Sequence, residues 1–391
     1  MGSADCSLPL ATSPDLVLVV PTPDERIECL KINGLAWKGQ LTTEQYIQRE
    51  NHLMSQNMTK DGALTCWILT ERNSLPDSRP ILSSCETFAK PAFLAYNGKV
   101  EDVLSHGIGS VFSRPEYRGR GYARRMIQEL VKILETWQLE NSARKKSIFS
   151  VLYSDIGKTF YAALGWKPFQ SSHYSLPPLE RPQAKKDIEG LDMILVKDMA
   201  RDDVKRYMCS NAVLDRYRAN LREASAKDTR AKAAFSPDFD NMTWHWAREE
   251  FYSPILAPEK GEPKVKGACV PSRNVFFSWN RNFGASAEQS TLFILRALHE
   301  EPSSASERQT IIDAIAAVLR RAQYEARDWD MGRVEIWNPS PLVEEAVKKL
   351  DANAKLVHRE TSSITSLKWN GKELGLGEEV DWVWNEKYAW C

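Results

Sequence analysis

A strand that runs into Arg118-Gly119-Arg120-Gly121 and continues directly as a long amphipathic helix constrains this chain more than any other feature. Val111-Phe112-Ser113 ends the strand and Arg114-Pro115-Glu116-Tyr117 begins the turn. From Gly121 onward Met126, Ile127, Leu130, Val131, Leu134 and Trp137 recur at helical spacing. The apolar run at 147–153 then predicts a strand parallel to the one before the turn, because the helix between them makes a crossover. Glycines let the backbone approach a ligand closely and point successive N–H groups outward, and the helix N-terminus adds partial positive charge. With Arg118, Arg120, Arg124 and Arg125 around it, the turn is a cradle for a pyrophosphate and one further phosphate. A basic, solvated helix start would use the same residues. No Lys-Ser/Thr pair follows and G-x-G-x-x-G is absent, so the turn is neither a Walker loop nor a dinucleotide fingerprint.

Around this unit the chain reads as two successive copies of one pattern. Residues 16–20 predict a short buried strand, and a helix opens at Pro23-Asp24-Glu25. Runs at 65–70, 81–88 and 104–112, separated by turn clusters at 73–80 and 96–99, predict an antiparallel meander. A helix is expected over 156–164. Residues 176–186, rich in Pro and charge, predict a linker. Beyond it Met193-Ile194-Leu195-Val196 followed by Arg201-Asp202-Asp203-Val204 repeats the opening strand and helix. Ser304 and Glu307 form a capping-box signal before a helix through 311–324, and a strand at 333–337 and a helix at 342–350 complete the echo of 121–164. Only the first copy keeps the glycine-rich turn. The expected division is 1–185 and 186–391.

At 391 residues the chain is long enough for two packed cores. Its 52 Lys+Arg balance 52 Asp+Glu, which argues against a nucleic-acid partner, since such domains carry a basic surplus. The seven Cys lack any C-x-x-C pair and the six His lack H-E-x-x-H, so neither a disulfide framework nor a zinc site is expected. Apolar runs fall far short of the ~18 residues of a membrane span. Met1-Gly2-Ser3-Ala4-Asp5-Cys6 approaches the myristoylation pattern but has Cys where Ser or Thr is needed, and no leader pattern follows. The expected location is the cytoplasm, with no membrane partner. No G-x-S-x-G elbow supports Ser-His-Asp hydrolysis.

Arg118-Gly119-Arg120-Gly121-Tyr122-Ala123 resembles the R/Q-x-x-G-x-G/A signature of the GNAT superfamily of acyl-CoA-dependent N-acetyltransferases. Downstream, Phe160-Tyr161-Ala162-Ala163-Leu164-Gly165-Trp166 is similar to that superfamily's F-Y-x-x-x-G-F/W element. His106-Gly107-Ile108-Gly109, Ser154-Asp155-Ile156-Gly157 and a C-terminal half holding nine of the 13 Trp most resemble the fungal lysine N6-acetyltransferase group. The resemblance implies an α/β (α+β) GNAT fold, a mixed and mostly antiparallel sheet flanked by helices. A second GNAT-like domain without the phosphate turn follows. It implies acetyl-CoA as cofactor, with backbone amides of Arg118, Gly119, Arg120, Gly121, Tyr122 and Ala123 on the pyrophosphate. The strand backbone at Val111 and Ser113 would pair with pantetheine. Tyr161 would protonate the departing thiolate, while Phe160 and Trp166 belong to the core.

The implied reaction is direct attack of a neutral amine on the thioester. A Lys amine of pKa ≈ 10.4 is neutral at pH 7 only about once in ~2,500, a cost of about 4.6 kcal/mol. A proton acceptor is therefore needed, and Glu86 and His106, each equally suited to a structural role, are the candidates. Aromatic faces beside carboxylates suit an alkylammonium, which singles out Asp381, Trp384 and Glu386 as substrate-binding. A second such cluster is Trp244-His245-Trp246 with Glu249 and Glu250. The alternating Trp382 and Trp384 would equally form the buried face of a strand. A free amino acid would also need its carboxylate held, by an Arg such as Arg273, Arg281 or Arg333. The second domain would wall the amine pocket or mediate assembly, and should bind no second coenzyme A. The small-molecule acceptor is expected to be free L-lysine, with a polyamine, an amino sugar or an amine-bearing fungal metabolite as alternatives. A non-catalytic acyl-CoA-binding scaffold and a protein acetyltransferase are the other readings; no basic tail or reader motif favours the latter.

Overall fold

The computed structural model describes residues 8–139, 147–181 and 190–391. The near-myristoylation start and part of the expected linker lie outside them. In chain order the first half holds β1 (Leu16–Val19), α1 (Pro23–Trp37), α2 (Thr43–Met54), β2 (Leu64–Glu71), β3 (Ser83–Tyr96), β4 (Lys99–Phe112), α3 (Tyr122–Leu134), β5 (Ser147–Ser154), α4 (Thr159–Ala162), β6 (Lys167–Pro168) and β7 (Ser172–Leu176). The second holds β8 (Lys197–Met199), α5 (Arg201–Met208), α6 (Asn211–Ala226), β9 (Ala231–Phe235), α7 (Phe239–Leu256), β10 (Gly267–Val270), β11 (Val275–Asn282), β12 (Thr291–Leu298), α8 (Ala305–Asp328), β13 (Arg333–Trp337), α9 (Pro341–Leu350), β14 (Val357–His358), β15 (Ile364–Trp369) and β16 (Val380–Trp382).

Both copies of the pattern form a sheet with the same centre. β4 and β5 run parallel around α3, and β12 and β13 run parallel around α8. The strand beside each of these pairs comes from the other half of the sequence. β15 lies antiparallel to β5 in the first sheet, and β7 lies antiparallel to β13 in the second. Sheet membership thus crosses the expected division at residues 185 and 186. A shared core also bridges the halves, packing Phe149 and Val151 of β5 with Phe276, Leu295 and Trp246.

Two elements differ from their sequence expectation. The strand expected to end at residue 88 continues to Tyr96, because Pro91 sits where β3 exchanges one partner, β2, for another, β9. The Pro91 carbonyl accepts the N–H of Ser236 on the β9 side, so the missing proline N–H costs no bond to β4. The hairpin to β4 then closes through Asn97 and Gly98, both at positive φ (49° and 71°). The helix expected over 156–164 is a single turn. Gly157 (φ 78°) and Gly165 (φ 100°) break the backbone on either side of it.

α1 is fixed at its start by a Thr22 capping box, whose carboxylate, Glu25, is only 4% exposed. Glu25 accepts Arg79 Nε at 2.7 Å and Nη2 at 2.9 Å, and the N–H groups of Thr22 and Asp77. The Arg79 guanidinium, aided by those amides, holds the carboxyl down from 4.5 to about 2. A depressed folded pKa means that this stabilisation is complete above pH 4.5 and is lost as pH falls toward 2. Glu25→Gln is therefore expected to lower the melting temperature at pH 7 by roughly 5 °C and to flatten its decline across that acid window. Calorimetric melts of both proteins against pH provide the check.

Candidate active site

β4 passes through a single turn at Pro115–Tyr117 before Gly119 (φ 77°) and Gly121 (φ 87°) reverse the backbone into α3. A side chain at Gly121 would be strained, and its Cβ would stand 3.2 Å from Ala11. The first N–H groups of α3 have no intrahelical acceptor and face outward with the positive end of the helix, an anion site built from backbone alone. Arg118 corrects one expectation: its N–H donates to Pro115 and its Nε to Ser113, at 3.2 and 3.4 Å, so its amide is used within the turn. The cradle is left to Gly119, Arg120, Gly121, Tyr122 and Ala123. Arg120 and Arg124 are exposed beside it, whereas Arg125 is turned to Glu129 and to the carbonyls of Ala11 and Ser13.

Above the turn the sheet opens. Parallel pairing of β4 with β5 stops at Ile108 opposite Leu152, while β4 runs on to Phe112. The backbone of Gly109, Val111 and Ser113 therefore has no β5 partner, and can pair with an extended arm lying between the strands. Here the β3–β4 register also shifts, and Ser110 takes φ 52°. The two faces of β4 then divide the candidate residues. Gly109 pairs with Glu86, so Glu86 shares the face of Gly107 and Gly109. Ser110 Oγ donates to its Oε2 at 2.7 Å and the Cys66 thiol approaches its Oε1 at 3.7 Å. Burial pushes the Glu86 carboxyl above the usual range, with Ser110 opposing. A cavity of about 10 Å³ beside it, lined by Arg26, Asn33 and Cys66 among others, matches one water in size.

On the opposite face Tyr161 packs with Ile108, Leu152 and Tyr122 at the opening of the strands. Burial pushes its phenol up, so it retains its proton at neutral pH. His106 is corrected by the structure. It is fully buried where β4 and β5 are still paired, its Nε2 bonded to Gln138 Oε1 at 3.1 Å. Burial pushes it down to about 4, so it is a neutral core side chain rather than a base at the opening.

On the Glu86 face lies a cavity of about 820 Å³ between the second sheet, α7, the 357–363 loop and the final turn. Trp390 lines it, and the adjacent Cys391 stands against β4: a Cβ on Gly107 would lie 2.5 Å from Cys391 Sγ. Tyr153, at the open end of β5, stacks near Trp337 of the cavity wall, with ring centroids 6.1 Å apart. The cavity thus lies behind Cys391 and Tyr153, on the side of the first sheet away from α3, and none of its lining residues belongs to β4 or β5. Its charged lining is mostly basic: Arg248, Arg333, Arg359 and Lys387 stand with the buried Glu335 and the exposed Glu360.

The three expected amine ligands lie elsewhere, because each is held by a cation within the fold. Asp381 pairs with Lys232 and Arg230, both at 2.9 Å. Glu386 accepts Arg296 at 2.7 Å and the Ala297 N–H at 2.8 Å, while the Trp384 ring lies over Arg296. Glu249 is fully buried between Lys266 and Arg281, and Trp246 is core, but Trp244 packs on Trp390 and His245 lines the cavity. Of the three arginines proposed for a carboxylate, only Arg333 reaches the cavity. Arg281 is occupied by Glu249 and Glu325, and Arg273 sits on a separate turn. Sequence reasoning missed Arg248, Arg359 and Lys387. Lys387 alone had a signal, the lysine inside the aromatic 382–390 segment.

The second copy is built differently at the matching place. Past the last β12–β13 pair, Ile294 with Ile336, the Ala297 N–H is already bonded to Glu386. Where the first copy has its Arg-Gly turn, this one has Glu300 and Glu301. Among the described residues no helix is long and apolar enough to cross a membrane.

Comparison with known proteins agrees with this architecture. Residues 173–391 match the family model described as the LYC1 GNAT-like C-terminal domain. The chain is 27% identical over 403 residues to an uncharacterized protein of Saccharomyces cerevisiae, covering 92% of this chain and 93% of that protein. It is 21% identical over 415 residues to a protein of Yarrowia lipolytica named lysine acetyltransferase, covering 95% and 99%. Among solved structures, Saccharomyces cerevisiae N-myristoyltransferase with bound myristoyl-CoA superposes with a TM-score of 0.51 at 11% identity, over 94% of this chain and 85% of that one, a likeness of fold. With two sheets built around the same strand–helix–strand centre and a family match spanning more than half of its length, the chain belongs to the LYC1 GNAT-like family.

Proposed function

We propose that this protein transfers the acetyl group of acetyl-CoA to the N6 amine of free L-lysine. It is an acyltransferase of GNAT type, and the reading of its acceptor rests on one observation. The glycine-rich turn and the 820 Å³ charged cavity flank the first sheet from opposite sides, with Cys391, next to Trp390 of the cavity wall, against β4 and Tyr153 of β5 against Trp337 of that wall. The name of the Yarrowia lipolytica relative supports lysine. Acetyl-CoA supplies an acetyl thioester when bound. The amides from Gly119 to Ala123 hold its pyrophosphate, and the free edge of Gly109, Val111 and Ser113 pairs with its pantetheine. Residues 186–391 complete the acceptor cavity.

Glu86, raised toward neutrality by burial and steadied by Ser110, takes the amine proton through a water in its small cavity. Tyr161 keeps its proton for the sulfur side of the reaction. The turn and the cavity are separate places on opposite sides of the sheet, which favours direct transfer in a ternary complex. Burial also pushes the Cys29 and Cys391 thiols to about 12 and about 11, so neither is a ready nucleophile for an acyl-enzyme.

Purified protein given acetyl-CoA and L-lysine is expected to release coenzyme A thiol and to yield lysine acetylated on N6 alone by mass spectrometry. Initial rates varied in both substrates should give intersecting lines. Parallel lines would mean a covalent intermediate, and a product acetylated only on polyamines or amino sugars would replace lysine as the acceptor.

A further inference from the structure

Lys387 projects into the acceptor cavity with no acid within 4 Å among the described residues. Its Nζ lies 4.0 Å from the Trp390 ring centroid, 4.3 Å from that of Trp337 and 4.5 Å from that of Phe293. Arg359 lies over the same Trp337 ring at 4.0 Å, and Arg248 over the same Trp390 ring at 5.7 Å. Two tryptophans thus gather three cations at one wall of the cavity. Lys387 and Arg359 are each only 7% exposed. Arg359 spends Nη1 on the Ser172 carbonyl and Nε on that of Ser363, leaving Nη2 buried without a partner, and Arg248 Nε is likewise unpaired.

Most other buried cations among the described residues are treated differently. Lys266, Arg281, Arg296 and Arg49 each meet a carboxylate, and Lys90, which meets none, donates to the Ala389 carbonyl at 3.0 Å. An unpaired buried charge is costly, and here the cost falls on three neighbours that also repel one another. Burial pushes the Lys387 amine well below its usual range; Glu335 opposes this, and Arg248 and Arg359 add to it. An anion at this wall would relieve all three groups. Across from them Glu335 is 7% exposed, bonded to the Trp337 indole at 2.7 Å and to Arg333 at 3.2 Å. It is the buried acid of the cavity lining, placed where a second, cationic group of the same ligand would be held.

We propose that Arg248, Arg359 and Lys387 form a carboxylate subsite, with Glu335 receiving an α-ammonium, so that the acceptor must be an α-amino acid with a free carboxyl group. The inference rests on the reading of this cavity as the acceptor site and deepens it. Anchoring the α-carbon end at Trp337 and Trp390 leaves the side-chain amine as the free end of the ligand. Regiochemistry then follows from where the zwitterion is held. Cadaverine, which has the same amine without the carboxylate, and lysine amide, in which the carboxylate is neutralised, both forfeit the three cations.

The test separates binding from chemistry by using L-norleucine, which keeps the zwitterion and lacks the reactive amine. Calorimetry on the full chain, with and without coenzyme A, is expected to show norleucine binding on the order of 100-fold more tightly than norleucine amide, the scale of charged hydrogen bonds lost from a buried site. Arg359→Gln and Arg248→Gln are expected to bring that ratio toward one. In turnover, L-lysine should exceed cadaverine and lysine amide by a similar factor in kcat/KM. The unaltered protein carries the comparison, so a variant that fails to fold leaves the result standing. Equal binding of norleucine and its amide overturns the subsite, as does lysine turnover without detectable norleucine binding. A carboxylate preference in binding with no acetylation of lysine would support the subsite and refute the lysine reading of the reaction.

Discussion

Tyr161→Phe is expected to lower kcat by on the order of 10²–10³-fold while leaving acetyl-CoA affinity within about 3-fold, the split that marks the loss of a proton donor rather than of a binding contact. The phenol sits among Ile108, Leu152 and Tyr122, where an added or lost hydroxyl changes little packing, and burial keeps its proton in place across the neutral range. Steady-state rates with calorimetric binding of acetyl-CoA measure the two effects separately. An unchanged kcat would remove Tyr161 from the chemistry. The proton acceptor has its own signature. Because burial raises the Glu86 carboxyl, kcat should rise with pH along a limb above the ordinary 4.5, as the carboxylate forms. Glu86→Gln should abolish that limb together with most of the rate.

Glu249→Ala is expected to destabilise the protein by about 3–5 kcal/mol, because it leaves two buried cations short of their shared carboxylate. Glu249 is 0% exposed, accepts Lys266 Nζ at 2.5 Å, and takes both the N–H of Arg281 at 2.7 Å and its Nη1 at 3.2 Å. Those bonds tie α7 to the second sheet, and α7 presents His245 and Arg248 to the acceptor cavity. Loss of acceptor binding should therefore accompany the loss of stability. Glu180→Ala is the contrast, since its pair with Arg327 is exposed at both ends and should change stability by less than about 0.5 kcal/mol. Urea unfolding of the two variants would measure the difference. Equal effects would show that the network around Glu249 is no more than a surface pair in consequence.

The legible part of this protein was local. Strand, glycine turn and amphipathic helix are short-range features, so the strand–turn–helix unit of residues 111–137 was legible from sequence alone, and the structure adds that the Arg118 amide is used within the turn. The duplication was legible for the same reason, since a strand, a helix and a second strand recur in order. Where the chain reads less well, a distant partner intervenes. β3 runs past Pro91 because β9, more than a hundred residues away, takes over its pairing. The exchange of β7 and β15 between the sheets has no local signal at all.

Residue type along the sequence determined that one glycine-rich, arginine-flanked turn opens a long helix and that the second half is rich in aromatic and charged groups. Tertiary structure decided which of those groups are spent. Asp381 and Glu386 look like amine ligands until Lys232, Arg230 and Arg296 are brought beside them. Arg248, Arg359 and Lys387 look ordinary until the fold gathers them against two tryptophans, in a lining whose buried acid, Glu335, is bonded to Trp337 and Arg333 instead. A charge acquires its role from desolvation and from the partners it meets, and both are fixed by contacts between segments far apart in sequence.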